Sequence, residues 1–151
     1  MDKQMRNLTI LLPARNEVEG LGMVVDMIPG EELRKLGWNY QLVLVDGYST
    51  DGTVKLAEEL GITVYDQRGG VGKGMGLRQA FTHYLECGDD ALVMLDPDGT
   101  YDPRDMPRLL QQMDDGEYDV VIGSRLRGKI DEGAMGRVNY LGNHILTWSA
   151  V

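Results

Sequence analysis

One cysteine, Cys87, stands in the whole chain. That excludes an intramolecular disulfide framework and is compatible with a reducing compartment. No run approaches the ~18 consecutive apolar residues that cross a bilayer as a helix. Positive charge is scarce: 15 Lys and Arg face 24 Asp and Glu, for a net charge of −9. Such a balance argues against nucleic acid as a partner over the whole surface. The few cations are grouped, however. Arg68 and Lys73 form one group and Arg125, Arg127 and Lys129 another, which leaves room for a local anion site. Only two histidines occur, His83 and His144. Both read as packing or helix-surface residues, so the chain offers no assured general base. Internal repeats, low-complexity tracts and linkers are also missing.

What is present is an ordinary globular composition, 42% hydrophobic and 26% charged over 151 residues, enough for one domain with a core. Short apolar runs at Leu8–Leu12, Tyr40–Val45, Ile62–Tyr65, Ala91–Leu95 and Tyr118–Ile122 read as five strands. Between them lie helical spacings. Val18, Leu21, Val24, Val25 and Ile28 form the first, which Pro29-Gly30 stops. Thr50 or Asp51 can cap a helix through Leu60. A glycine-rich segment leads into another helix, ending near Glu86. Asp102-Pro103 is an N-cap and N1 pair opening a helix to about Met113. Regular alternation of strand and helix predicts an α/β fold, a mostly parallel sheet with helices on both faces. Past Gly123 the chain turns polar and glycine-rich, and Val138, Leu141, Ile145 and Trp148 then share one helical face. That face either packs on the sheet or lies at a lipid interface. The helix runs up to Val151, so the expectation is a single catalytic domain over 1–151, cut short at its C-terminus.

In an open parallel sheet, ligands bind outside the carboxyl ends of the strands. Four suggestive stretches fall there: "PARNE" after the first strand, "DGYSTDGT" after the second, "DPDG" after the fourth and "GSR" after the fifth. Asp96 and Asp98, one residue apart at the end of a buried strand, can face one ligand. Paired carboxylates suit hard divalent cations such as Mg²⁺ or Mn²⁺, with phosphate and water completing the shell. Asp-x-Asp-Gly-Thr also resembles the nucleophile loop of haloacid-dehalogenase-like phosphatases, with Asp96 as nucleophile. Those enzymes need a distal acidic pair at another strand end, and Asp114-Asp115 is badly placed for it. "RGGVGKGMG" fails as a P-loop, because Gly74 follows Lys73 where Ser or Thr is required. No Gly-x-Gly-x-x-Gly follows the first strand either. What remains is a loop feeding a helix N-terminus, with Lys73 available to an anion.

Taken together, "ILLPARNEVEGL", "VLVDGYSTDGT", "GKGMGLRQAF", "MLDPDGTYDP" and "VVIGSRLRG" resemble the family-2 glycosyltransferases of GT-A fold, and within them the dolichyl- or polyprenyl-phosphate mannose or glucose synthases. The resemblance covers about Leu8 to Asn143. It implies that Pro13, Ala14, Arg15 and Glu17 line a nucleoside pocket, with Asp46 near base or ribose. It implies that Asp96, Pro97 and Asp98 hold ribose, metal and diphosphate, and that Arg125 and Arg137 meet phosphate. Lys73 joins the nucleotide-sugar site as an anion partner. The implied reaction is inverting, metal-dependent transfer of a hexose from GDP-mannose or UDP-glucose to a polyprenyl or dolichyl phosphate at a membrane surface. Mg²⁺ or Mn²⁺ is the implied cofactor, and the implied location is cytoplasmic, peripheral at the cytoplasmic membrane face. A nucleotide-sugar-binding module without turnover is the alternative. Three positions depart from the family pattern. Gly47 replaces its second aspartate and Tyr48 the following glycine, which leaves GDP against UDP open. Thr100 stands where a glutamine is frequent.

Overall fold

A computed structural model of the chain describes residues 4–70 and 72–124. The chain divides between Arg108 and Leu109 into two compact units, and the sheet with its rim belongs to the first. Four strands form that sheet: β1 (Arg6–Ala14), β2 (Trp38–Asp46), β3 (Thr63–Asp66) and β4 (Ala91–Met94). They run parallel in the order β3-β2-β1-β4. Five helices accompany them: α1 (Val18–Asp26), α2 (Gly30–Lys35), α3 (Thr53–Glu59), α4 (Lys73–Cys87) and α5 (Met106–Gly116).

Why β1 sits in the middle is visible in its side chains. Leu8, Ile10 and Leu12 are wholly buried on one face and Leu11 is buried on the other, so the strand cannot face water on either side. Leu11, Val43, Val45 and Ala80 make one core cluster, with Tyr65, Leu77 and Leu92 packed against it. Ala80 and Leu77 come from α4, which lies over β1 and β2. By alternation Leu8, Ile10, Leu12 and Leu44 point to the opposite face, where α1 and α3 pack on each other. Right-handed crossovers give this arrangement directly. Two steps in one direction build β1-β2-β3, and the return to β4 carries α4 across the other face. Each fully buried leucine adds about 1.5–3 kcal/mol to folding.

Strand register decides where the strand ends lie. Ala14 is level with Asp46, and Asp46 with Asp66, so three strands end on one row. Leu11 is level with Met94, and the β4 exit continues beside the end of β1, where the Leu95 N–H donates to the Leu11 carbonyl at 3.0 Å. The order of the strands reverses between β1 and β4. A crevice opens at that reversal, outside the carboxyl ends.

Two differences from the sequence expectation stand out. No strand forms at 118–122 among the described residues; Tyr118, Val120 and Ile122 are 60%, 73% and 82% exposed. Their β-branched, aromatic pattern supplies propensity, but a strand exists only when a neighbour takes its ladder hydrogen bonds. The second difference is α2. Pro29-Gly30 does end the first helical run, and it also begins another. Glu31 and Glu32 in the first turn, with Arg34 and Lys35 in the last, match the helix dipole. At the other end of the unit, Asp102 caps as expected, its carboxylate accepting the Arg104 N–H at 2.9 Å. The Pro103–Asp105 segment it opens is a turn of 3₁₀ helix before α5.

Candidate nucleotide-sugar site

The crevice is a cavity of about 330 Å³. Pro13, Ala14, Arg15 and Glu17 line it from the end of β1, and Asp96, Pro97 and Asp98 from the end of β4. Val45, Gly47 and Gln67 come from the ends of β2 and β3, and Gly72, Lys73 and Gly76 from the start of α4. Eight residues singled out from sequence therefore meet in one place. Asp46 does not line this cavity. It is 5% exposed, and its carboxylate accepts the Ser49 N–H at 3.0 and 3.3 Å, tying the turn after β2. Arg125 and Arg137 lie outside the described residues, as do Arg127, Lys129, His144 and the helix expected over 138–148.

One wall of the cavity is acidic. Lys73 Nζ donates to Asp96 Oδ1 at 2.6 Å. Asp98 Oδ1 accepts the Thr100 N–H at 2.8 Å. That bond, with the Thr100 hydroxyl and then the Lys73 charge, holds the Asp98 carboxyl below its ordinary range. Glu17 is pushed the other way. Partial burial raises its pKa first, then the charges of Asp98, Asp96 and Asp51, against a smaller opposing pull from Lys73. Three carboxylates, Glu17, Asp96 and Asp98, thus share the cavity with two cations, Lys73 and Arg15, which leaves it with a small negative excess. Among the described residues no three acidic, His or Cys side chains converge closely enough to hold a metal ion alone. The donor set does suit a hard cation whose remaining ligands are diphosphate oxygens and water.

The backbone around the two aspartates is tightly held. Pro97 is fully buried between them. A side chain at Gly20 would run into the Pro97 carbonyl oxygen and come within 3.2 Å of the Asp98 Cα. The glycine is what lets α1 press against the Asp-Pro-Asp segment. The start of α1 is held in turn by the loop after β2. Asn16 Oδ1 accepts the Thr50 N–H at 2.8 Å, and the Asn16 N–H donates to Ser49 Oγ at 2.9 Å. The Glu17 N–H donates to Thr53 Oγ1 at 2.9 Å and the Val18 N–H to Asp51 Oδ2 at 3.1 Å. Asp51 Oδ1 also accepts the Thr53 N–H and hydroxyl at 3.0 and 2.6 Å. "STDGT" therefore clamps the "PARNE" loop instead of touching the cavity. Tyr48 adopts φ 67°, a left-handed conformation that a glycine adopts at lower cost.

A larger groove, about 640 Å³, lies between β3 and α4 and is lined by Tyr65, Arg68, Arg78 and His83 among others. It holds Asp66 from the end of β3 but neither Asp96 nor Asp98. His83 is a packing residue there, its Nε2 2.7 Å from the Tyr65 hydroxyl and 3.3 Å from Cys87 Sγ.

The family model described as glycosyl transferase family 2 matches residues 9–149. The chain belongs to glycosyl transferase family 2. This membership decides against the phosphatase reading of Asp96. Glycosyltransferase AglJ of Haloferax volcanii is 39% identical over 137 residues, covering 91% of this chain and 42% of that protein. The undecaprenyl-phosphate mannosyltransferase of Micrococcus luteus is 35% identical, over 80% of this chain and 49% of that one. The chain thus spans less than half the length of these curated relatives. Among solved structures, the glucosyl-3-phosphoglycerate synthase of Mycobacterium tuberculosis in complex with Mn²⁺, uridine diphosphate and glucosyl-3-phosphoglycerate is 25% identical. It superposes with a TM-score of 0.58 over 72% of this chain and 39% of that one. The four-stranded parallel sheet is accordingly the Rossmann-like core of a GT-A fold. Among the described residues of this family-2 chain, no helix is long and apolar enough to cross a membrane.

Sequence reasoning did not single out Gly20, which packs against Pro97, or place Gly76 and Gln67 in the lining of the cavity. The glycines carry no signal except their smallness. Gln67 is a buried polar residue directly after a strand end, a position that rewards inspection in any parallel sheet.

Proposed function

We propose that this chain is the donor-binding part of an inverting, metal-dependent hexosyltransferase that uses GDP-mannose or UDP-glucose and a polyprenyl or dolichyl phosphate acceptor. One observation carries the reading: Glu17, Lys73, Asp96 and Asp98 line a single cavity at the strand-order reversal. The names of the Micrococcus luteus and Mycobacterium tuberculosis relatives support the acceptor and the donor classes respectively.

Asp96 and Asp98 are the residues that would hold Mg²⁺ or Mn²⁺. When bound, the cation supplies Lewis-acid stabilisation to the departing diphosphate. The chain's own groups do the rest. Pro13, Ala14, Arg15 and Glu17 bind the nucleoside side of the donor. Lys73 neutralises Asp96 and adds a fixed positive charge at the first turn of α4, where helix N–H groups also favour an anion. Asp98 is kept ionised by its bond from Thr100 and so is ready for a cation at neutral pH. Arg125 and Arg137 meet phosphate from donor or acceptor. A phosphate acceptor is largely dianionic at pH 7, since its second pKa is about 6, and it attacks without a general base. Cytoplasmic placement, peripheral at a membrane face, fits such an acceptor.

Calorimetry of GDP and UDP binding tests the reading. Mn²⁺ or Mg²⁺ is expected to tighten binding of one nucleotide at least tenfold, and Asp98→Asn to remove that gain. Equal affinity with and without chelator overturns it. Incubation with labelled sugar nucleotide and polyprenyl phosphate then separates turnover from binding alone.

A further inference from the structure

The cavity has a second wall of different chemistry. Away from the carboxylates it is made by Val45, Gly47, Gln67 and Gly76, and Gln67 is the polar side chain among these four. It is 5% exposed. Its Nε2 donates to the Gly70 carbonyl, which settles the orientation of the amide: the donor end is spent on the backbone and Oε1 is the other end. Oε1 points to the side that two glycines keep clear. A Cβ added at Gly76 would lie 2.8 Å from it, and one added at Gly47 would lie 3.7 Å from it. A methyl at Gly76 would crowd the amide, whereas one at Gly47 would only touch it.

We infer that Gln67 is the residue that selects the nucleobase, through Oε1 accepting a ring N–H. This rests on the nucleotide-sugar reading above and deepens it. A nucleoside diphosphate gripped at Asp96 and Asp98 extends its base toward the wall without charge. An acceptor fixed there matches a base whose Watson–Crick edge presents a ring N–H, as uracil and guanine do. Cytosine and adenine present a bare ring nitrogen at that place. An acceptor facing another lone pair leaves both unsatisfied, and a site built around one hydrogen bond rejects such analogues strongly. Gly47 fits the same logic. With no side chain at 47, the carboxamide of 67 is the group that reaches the base edge on this side.

Binding of UDP, GDP, CDP, ADP and ribose 5-diphosphate, each with Mn²⁺, tests the inference by calorimetry. The wild-type protein is expected to favour UDP over CDP, or GDP over ADP, by about tenfold or more. Gln67→Leu is expected to remove that preference and to leave the base-free ribose diphosphate unchanged, which also shows that the variant folds. Gln67→Glu keeps an acceptor but loses the donor to Gly70, and it is expected to retain the preference. Uniform weakening of all five probes by both variants would make Gln67 a prop for the Gly70 turn and overturn the inference, while the nucleotide site stands. A wild-type protein that binds ribose diphosphate yet shows no base preference overturns it too. If no probe binds with Mn²⁺, both readings fall.

Discussion

Gly20 shows how one missing side chain governs the site. Its hydrogen faces the Pro97 carbonyl and the Asp98 backbone, so Gly20→Ala must push the Asp-Pro-Asp segment away from α1. Overpacking of this kind costs about 1–3 kcal/mol, and a urea titration should show a lowered midpoint with unchanged slope. Nucleotide binding with Mn²⁺ should weaken together with it. Glu17 carries the opposite kind of cost. Its folded-state pKa is raised, so the protonated form is favoured on folding and ionisation above that value works against stability. Glu17→Gln should therefore raise the melting temperature at pH 7, and the gain should vanish below about pH 4, where the unfolded chain's glutamate is also protonated. Asp96, Asp98, Lys73 and the Pro13–Glu17 stretch were legible from sequence because charged or proline-bearing motifs at strand ends stand out against apolar runs. Gly20 and Gln67 were not, since their importance lies in which atoms the fold brings against them.

At the scale of elements, the "PARNE" and "STDGT" loops act as one piece. Asn16 holds φ 58° and bridges to Ser49 and Thr50, so Asn16→Ala loses a hydrogen bond to the Thr50 N–H at a left-handed position. A loss of about 1–2 kcal/mol is expected, measurable by denaturation. Asp51 is held below its ordinary pKa of 3.8, first by the Thr53 hydroxyl and then by the Thr53 and Val18 N–H groups. Because the folded value is the lower one, its contribution is complete above the unfolded carboxylate value and is lost as pH falls through the folded value. Asp51→Asn should flatten the acid limb of the stability curve below pH 4. Four strands were readable because each centres on a largely apolar run, interrupted at most by one polar residue such as Thr9, Gln41 or Thr63. The expected fifth was not a strand, as propensity at 118–122 says nothing about a partner. Helix α2 hid behind Pro29-Gly30, although Glu31, Glu32, Arg34 and Lys35 spelled out its two ends.

For the molecule as a whole, the fold brings three carboxylates, Glu17, Asp96 and Asp98, to one cavity, the place where the proposed cation and nucleotide would meet. Nucleotide and Mn²⁺ together should therefore stabilise the fold more than either alone. At a hundredfold excess over Kd, ligand adds about 2.7 kcal/mol, or roughly 5–10 °C in a chain of this size. A thermal scan with a chelator control measures it, and an additive response of the two ligands would speak against a shared site. The strand order has a further consequence for biosynthesis. Glu17 and Asp98 meet only because β4 inserts beside β1, and β4 is the last of the four strands to leave the ribosome. Until β4 emerges the nascent chain can pair β1, β2 and β3 but lacks Asp96 and Asp98, so the cavity is incomplete. A ligand that needs both aspartates, as the proposed donor does, cannot template its own receptor; it can only lock a sheet that has already closed.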